Sequence, residues 1–300
     1  MELSDIEQIE IPLLVEAVYQ RYGHDFRNYA PSTVERRIRS FLTVSGCRHI
    51  SEMIPRLLHE EDFFRQFLKA FSITVTEMFR DPAVYRCLRE KVLPVLASYP
   101  FIRIWIAGCA TGEEAYSLAI LLEEEGLYDR TTLFATDFND EALARARAGI
   151  YPLDRIRLFT RNYQEAGGIQ PFSNYCHARY DAMAVCQPLK RNITFANHNL
   201  VTDGVFGEMH LILCRNVLIY FDRALQGRVL SLFRDSLDPR GYLCLGSAES
   251  LHLSAIQDCF EAVDEEARVF RRRRIPRKPE WAAGTTPAAH FPDPLSEEQC

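Results

Sequence analysis

The chemistry of this chain concentrates where apolar runs end in small or charged residues. In Ile106-Ala107-Gly108-Cys109-Ala110-Thr111-Gly112-Glu113-Glu114-Ala115-Tyr116-Ser117, an apolar stretch gives way to small residues and then to a helix start. Small residues let a ligand approach the backbone closely, and a helix N-terminus offers free N–H groups. The glycines are spaced G-x-x-x-G, unlike the dinucleotide fingerprint, and the Lys-Ser/Thr of a phosphate loop is missing. Glu113 and Glu114 would repel a pyrophosphate but attract a cation such as a sulfonium. That favours S-adenosylmethionine (SAM) over NAD or ATP. Thr111 and Glu114 also have the spacing of a capping box, which needs no ligand.

Asp137 ends a second apolar run, Thr132 to Thr136. A carboxylate there suits a ribose diol, because it accepts both hydroxyl protons. It is equally a helix N-cap, although Asn139 can take that job. Cys214-Arg215-Asn216-Val217-Leu218-Ile219-Tyr220-Phe221-Asp222 delivers Arg215, Asn216 and Tyr220 directly after a buried run. Tyr220 could also be a core aromatic with a satisfied hydroxyl. In Asn197-His198-Asn199-Leu200, Asn199 can bond an adenine edge or close an Asx turn. Arg80 precedes Asp81-Pro82, a helix start, and by itself reads as a surface residue. Arg36 and Arg39 lie opposite the stripe Val34, Ile38, Phe41 and Leu42, with Arg37 at its rim. They form either a solvated face or a docking surface for an acidic helical partner. The eight histidines show no metal-ligand pattern, and there is no Gly-x-Ser-x-Gly elbow. Nine cysteines without a C-x-x-C pair predict free thiols in a reducing cytoplasm, with neither zinc nor a disulfide framework.

These residues need a scaffold. A length of 300 residues implies about two domains. With 47% hydrophobic and 25% charged residues the composition is globular, and the chain is long enough to bury a core without metal or disulfide. A net charge of −6 argues against a general nucleic-acid binder. No apolar run approaches the roughly 18 residues of a membrane span. The acidic start, Met1 to Asp5, lacks an apolar signal core. Residues 1 to about 98 read as helical, with Pro12 in a first helical turn, Gly23 as a stop and Ser51 as a cap. Phe63, Phe64, Phe67, Leu68 and Phe71 keep the helical period, as do Val84, Leu88, Val92 and Leu96.

From Phe101 strands alternate with helices. Ile102–Ala107, Thr132–Asp137, Ile193–Ala196, Leu211–Cys214 and Tyr242–Leu245 read as strands. A helix holding Leu225, Val229, Leu232, Phe233 and Leu237 separates the last two. The alternation predicts an α/β fold with a doubly wound parallel sheet and a ligand at the carboxyl ends of its strands. Residues 170–195 predict a small antiparallel β insert, and the Pro-rich residues 275–300 a flexible tail. The expected division is therefore 1–80 helical, 81–274 cofactor-binding and 275–300 tail.

Val75-Thr76-Glu77-Met78-Phe79-Arg80-Asp81, Ala110 to Ser117, Asp137, Gly149-Ile150-Tyr151, Asn199-Leu200 and Cys214 to Phe221, in this order, resemble the CheR-type chemotaxis protein methyltransferases. The resemblance implies an all-α N-terminal domain followed by a Rossmann-like SAM-dependent methyltransferase domain with an inserted β-subdomain. It also implies esterification of glutamate side chains on a chemoreceptor-like protein with helical methylation sites, leaving S-adenosylhomocysteine. Carried over by motif, Thr74, Thr76, Arg80, Glu114, Asp137, Asn199, Leu200, Arg215 and Asn216 contact the cofactor. Arg80 and Tyr220 flank the methyl-transfer position, and Arg36, Arg37 and Arg39 dock the receptor. A cytoplasmic monomer without metal or nucleic acid is expected. Two residues depart from the family's pattern: Thr74 stands where Asn is usual, and Ala115 where Pro is usual. A helix accepts Ala readily. The family's β-subdomain can bind a receptor's C-terminal peptide by adding a strand, and no motif in 170–195 decides for or against that here. The competing readings are a SAM methyltransferase with another substrate, a SAM-binding regulatory module without turnover, and an NAD-type dehydrogenase, which fits the fold but not the glycine pattern.

Overall fold

A computed structural model describes residues 5–72, 76–252 and 254–274. Thr74 and the tail from residue 275 lie outside the described residues.

The first four helices converge on one apolar cluster. They are α1 (Asp5–Tyr22), α2 (Pro31–Ser45), α3 (Ile50–His59) and α4 (Glu61–Phe71). Leu14, Ile38, Leu57 and Phe67 are fully buried between them. Two local expectations are corrected. Pro12 sits inside α1, not in its first turn, because the helix begins at Asp5 with acidic residues suited to an N-terminus. Ser51 does not cap α3. His49 holds that position without a side-chain cap bond, and the Ser51 N–H is accepted at 3.1 Å by the buried Glu10 carboxylate of α1.

A linker, residues 76–81, leads to α5 (Pro82–Cys87), which continues through a π-turn, Leu88–Val92, into α6 (Leu93–Leu96). The alternating part follows: β1 (Ile102–Ala107), α7 (Glu113–Glu124), β2 (Thr131–Asp137) and α8 (Asp140–Ala148). Next come β3 (Ile150–Pro152), α9 (Ile156–Glu165), β4 (Cys176–Arg179), β5 (Ala182–Val185) and β6 (Ile193–Asn197). The domain finishes with β7 (Met209–Cys214), α10 (Arg223–Ser236), β8 (Leu237–Leu245), β9 (Phe260–Asp264) and β10 (Val269–Arg272).

Seven strands form one sheet in the order β6-β2-β1-β7-β8-β10-β9. The first five run parallel, whereas β10 is antiparallel to both β8 and β9. β1 is buried on both faces, as a covered parallel strand must be. Ile104 and Ile106 pack on one side with Leu118 and Leu122 of α7; Trp105 and Ala107 pack on the other with Val229 and Phe233 of α10. The chain winds outward from β1 to β2 and β6, then returns to β7 on the opposite side. The reversal between β1 and β7 opens a crevice at the carboxyl ends of the strands.

Three further boundaries differ from the sequence expectation. Leu237 begins β8 instead of ending α10, and the β9–β10 pair was not anticipated. The antiparallel insert, ordered β3-β5-β4, starts at Ile150 and ends at Val185. Residues 170–195 therefore catch only two of its strands, and Ile193–Asn197 belongs to the main sheet beside β2. Its first strand is three residues long, too short to show alternation, and α9 intervenes before the second.

Main-chain bonds join the helical domain to the segment after β7. The Ala30 N–H donates to the Tyr220 carbonyl at 2.9 Å, and the Asp222 N–H donates to the Asn28 carbonyl at 3.0 Å. The rings of Tyr29 and Phe221 meet edge-on between them, 5.1 Å apart. Among the described residues no helix is long and apolar enough to cross a membrane, and no cluster of His, Cys, Asp or Glu could hold a metal ion.

Candidate active site

The carboxyl ends of β1, β2 and β7 border a cleft of about 1120 Å³, counting its open mouth. Tyr29, Thr33 and Phe71 of the helical domain line it from across the sheet. The linker contributes Thr76 and Arg80, α7 contributes Glu114, and β2 contributes Asp137. Asn199 and Leu200 come from the loop after β6; Arg215, Asn216 and Tyr220 follow β7.

Close approach of the backbones makes the cleft possible. Gly108 has φ +78°, and a Cβ there would lie 2.5 Å from a Val217 methyl, so glycine lets the turn after β1 pack on the segment after β7. Ala110 follows at φ +47° and donates its N–H to Asp137 Oδ2 at 2.9 Å. The Asn139 N–H reaches Oδ1 at 3.0 Å. Each carboxylate oxygen retains a lone pair for another donor. Burial pushes the Asp137 carboxyl above its ordinary value, against the pull of these backbone bonds. Asn139 itself caps α8 by accepting from the Glu141 and Ala142 N–H groups, which relieves Asp137 of that task.

The capping box of Thr111 and Glu114 does not form. Gly112 precedes α7 at φ +91° without a side-chain cap bond, and Thr111 Oγ1 donates to Glu113 at 2.7 Å. Glu114 instead accepts from Arg215 Nη1 at 2.7 Å. Arg215 Nη2 donates at 2.8 Å both to the Asp81 carboxylate and to the Arg80 carbonyl. With its side chain only 2% exposed, Arg215 is a buried cation matched by two carboxylates. Arg80 is different. It is half-buried at the cleft, and among the described residues its guanidinium has no carboxylate partner. Asn199 closes an Asx turn, accepting from the Val201 N–H at 3.0 Å, while it also lines the cleft.

The three arginines of α2 differ from one another. Arg39 pairs with Glu7 at 2.6 Å. Arg36 is exposed. Arg37 is half-buried, its Nε makes no hydrogen bond, and burial together with the Arg36 charge lowers its pKa.

Two residues at the site escaped sequence reasoning. The buried Glu249 carboxylate accepts from the N–H groups of Gly246 at 2.6 Å, Leu218 at 2.7 Å, Val217 at 2.8 Å and Asn216 at 3.2 Å. It thereby pins the segment that carries Asn216, at φ +60°, and Tyr220. A signal was present: Gly246-Ser247-Ala248-Glu249 repeats, after β8, the small-residues-then-glutamate pattern seen after β1. His198 lies edge-on to Trp105 at 5.2 Å, lines the cleft, and leaves Nδ1 buried without a hydrogen bond.

Comparison with known proteins settles what kind of chain this is. Residues 74–269 match the SAM-binding domain of CheR methyltransferases, and residues 9–72 match the all-alpha domain of the same family. The chain belongs to the CheR methyltransferase family. It is 48% identical over 264 residues to "Putative methyltransferase Cher3" of Pseudomonas putida, covering 88% of this chain and 97% of that protein. Chemotaxis protein methyltransferase 1 of Vibrio cholerae is 34% identical over 242 residues, covering 77% of this chain and 84% of that one. The chemotaxis protein methyltransferase of Borreliella burgdorferi is 29% identical over 261 residues, covering 82% and 90%. This CheR-family chain is therefore a SAM-dependent methyltransferase of the chemotaxis type, and the dehydrogenase reading is set aside.

The cleft suits that cofactor. Glu114 and Asp137 are acidic, the orphaned His198 Nδ1 is polar, and Phe138, Leu200 and Val201 are apolar. Such walls match a ligand with a cationic centre, a diol and a heteroaromatic ring. Arg215 is already committed to Glu114 and Asp81 and offers no free charge to a pyrophosphate.

Proposed function

We propose that this CheR-family enzyme methylates glutamate side chains of a chemoreceptor-like protein, giving glutamate methyl esters. SAM supplies an electrophilic methyl group on a cationic sulfur when it is bound. Asp137 holds the ribose hydroxyls with its remaining lone pairs, and Asn199 and Leu200 take the adenine. Thr76, Glu114, Arg215 and Asn216 complete the cofactor's surroundings.

A glutamate acceptor has a pKa of about 4.3 and is already ionised at neutral pH, so no general base is needed. The protein's task is orientation, which contributes on the order of 7–11 kcal/mol in favourable cases. Arg80 carries that task. Its planar guanidinium grips both oxygens of an acceptor carboxylate. Tyr220 confines the approach to one side. Arg36 and Arg37 on α2 draw an acidic helix toward the cleft mouth.

The observation that carries this reading is the contrast between two arginines on one cleft: Arg215 is paired with two carboxylates, whereas Arg80 has none among the described residues. The test is incubation of the purified protein with methyl-labelled SAM and chemoreceptor-bearing membranes. Label in a receptor band that mild base releases as methanol is expected. Base-stable label, or label confined to other proteins, would overturn the acceptor assignment.

A further inference from the structure

Arg80 stands between two residues in a conformation that L-amino acids avoid. Phe79 has φ +53° and Asp81 φ +54°, two of the six non-glycine residues with positive φ in the described chain. Each flank is held from a different element. The Phe79 N–H donates to Ser117 Oγ of α7 at 2.8 Å, in a buried bond. The Phe79 ring is buried against Tyr85 and Tyr163, with centroids 5.0 and 5.2 Å away. On the other side, Arg215 Nη2 clasps the Asp81 carboxylate and the Arg80 carbonyl together, each at 2.8 Å.

Asp81 is placed to cap α5, yet it makes no side-chain cap bond. Its carboxylate is used on Arg215 instead. Strained residues persist only where their surroundings over-determine them, and they gather at functional sites. Here the over-determination fixes the peptide from which the Arg80 side chain projects.

Resting on the reading of Arg80 given above, we propose that Asp81 is a positioning residue for methyl transfer: paired with Arg215, and opposed by Ser117 across Phe79, it locks Arg80 in its place over the cleft. Asp81 acts through Arg80 and not through the cofactor. With Asp81 removed, Arg215 keeps its bond to Glu114, so transfer slows with little loss of cofactor binding, and the removal adds little once Arg80 is gone.

The experiment compares Asp81→Ala, Asp81→Asn, Arg80→Ala and the Arg80→Ala/Asp81→Ala double variant in the full chain. Three readouts are needed: SAM affinity by calorimetry, kcat on chemoreceptor-bearing membranes, and hydrogen exchange of the segment 76–82 with SAM bound. Asp81→Ala is expected to lower kcat on the order of tenfold or more and to speed exchange by a similar factor, with SAM affinity within about threefold. Asp81→Asn keeps a neutral bond to Arg215 and recovers part of both. The double variant is no slower than Arg80→Ala. Normal kcat in Asp81→Ala, SAM binding weakened in step with kcat, or additive losses in the double variant would each overturn the proposal. Should Asp81→Ala not fold, Asp81→Asn and its double variant decide by the same criteria. If Arg80→Ala transfers normally, it is the reading of Arg80 that fails. If the wild type labels no receptor, the acceptor reading fails, and unchanged exchange in Asp81→Ala then overturns the positioning role on its own.

Discussion

Arg215→Ala removes the one cation that Glu114, Asp81 and the Arg80 carbonyl share. Taking away one partner of a buried pair costs about 3–5 kcal/mol, because the other charge is left without compensation. The geometry argues for the lower end of that range. The Glu114 side chain, 12% exposed at the cleft wall, can hydrate only in part, whereas Asp81 at 42% hydrates readily. A loss of about 3 kcal/mol corresponds to a fall in Tm of roughly 5 °C for a chain of this size. Thermal unfolding in the absence of SAM measures it. The stranded Glu114 charge is the main cost, so Arg215→Ala/Glu114→Ala should recover at least half of the loss despite removing a second side chain. A Tm within about 1 °C of wild type for Arg215→Ala, or a double variant less stable than the single, would refute the reasoning.

Other expectations follow from the same geometry. Asp137→Asn should weaken SAM binding roughly 10- to 100-fold by calorimetry, the worth of one or two charge-assisted bonds. Burial raises the Asp137 pKa, so wild-type affinity should be flat at neutral pH and fall on acidification sooner than an exposed aspartate would allow. The sign for folding is opposite: native Asp137 binds its proton more tightly than the unfolded chain, so its stability contribution is complete at acid pH and is lost as pH rises through the raised value. At Glu124, burial pushes the pKa up, but hydrogen bonds from Tyr163 and Arg89 outweigh it and hold the carboxyl low. The stability it gives is present above the ordinary carboxylate range and vanishes as pH falls through the depressed value, so Glu124→Gln should flatten the acid limb of a Tm-against-pH curve. Arg36→Glu/Arg37→Glu should raise the KM for receptor membranes several-fold, with a reduced salt dependence and unchanged SAM affinity.

Legibility in the sequence tracked the range of the interactions. Gly108, Asp137 and the Arg215–Tyr220 segment stood out because each follows an apolar run that can only be a buried strand, and the sheet order then brings those ends together. The Arg215–Glu114 pair was not legible as a pair, since nothing local joins two residues that far apart in the chain. For the same reason the capping box at Thr111 failed: a tertiary cation outcompetes the helix N-terminus for Glu114. Glu249 was missed because its function is to accept main-chain N–H groups from another segment, which leaves no trace in their side chains. The insert was legible as antiparallel but not in extent, because β3 is short and α9 interrupts it.

The helical domain holds the Tyr220 segment mainly through peptide groups, Ala30 to Tyr220 and Asp222 to Asn28, with a single ring contact between Tyr29 and Phe221. Main-chain donors and acceptors are common to every residue except proline, which lacks the N–H. Substitutions can therefore accumulate over the outer surface of α2 while the grip on Tyr220 persists, so choice of client and integrity of the catalytic loop can evolve separately. A grafted helical domain from a relative should retarget the enzyme provided the turn at residues 28–30 keeps its course, an aromatic ring at residue 29 and an N–H at residue 30.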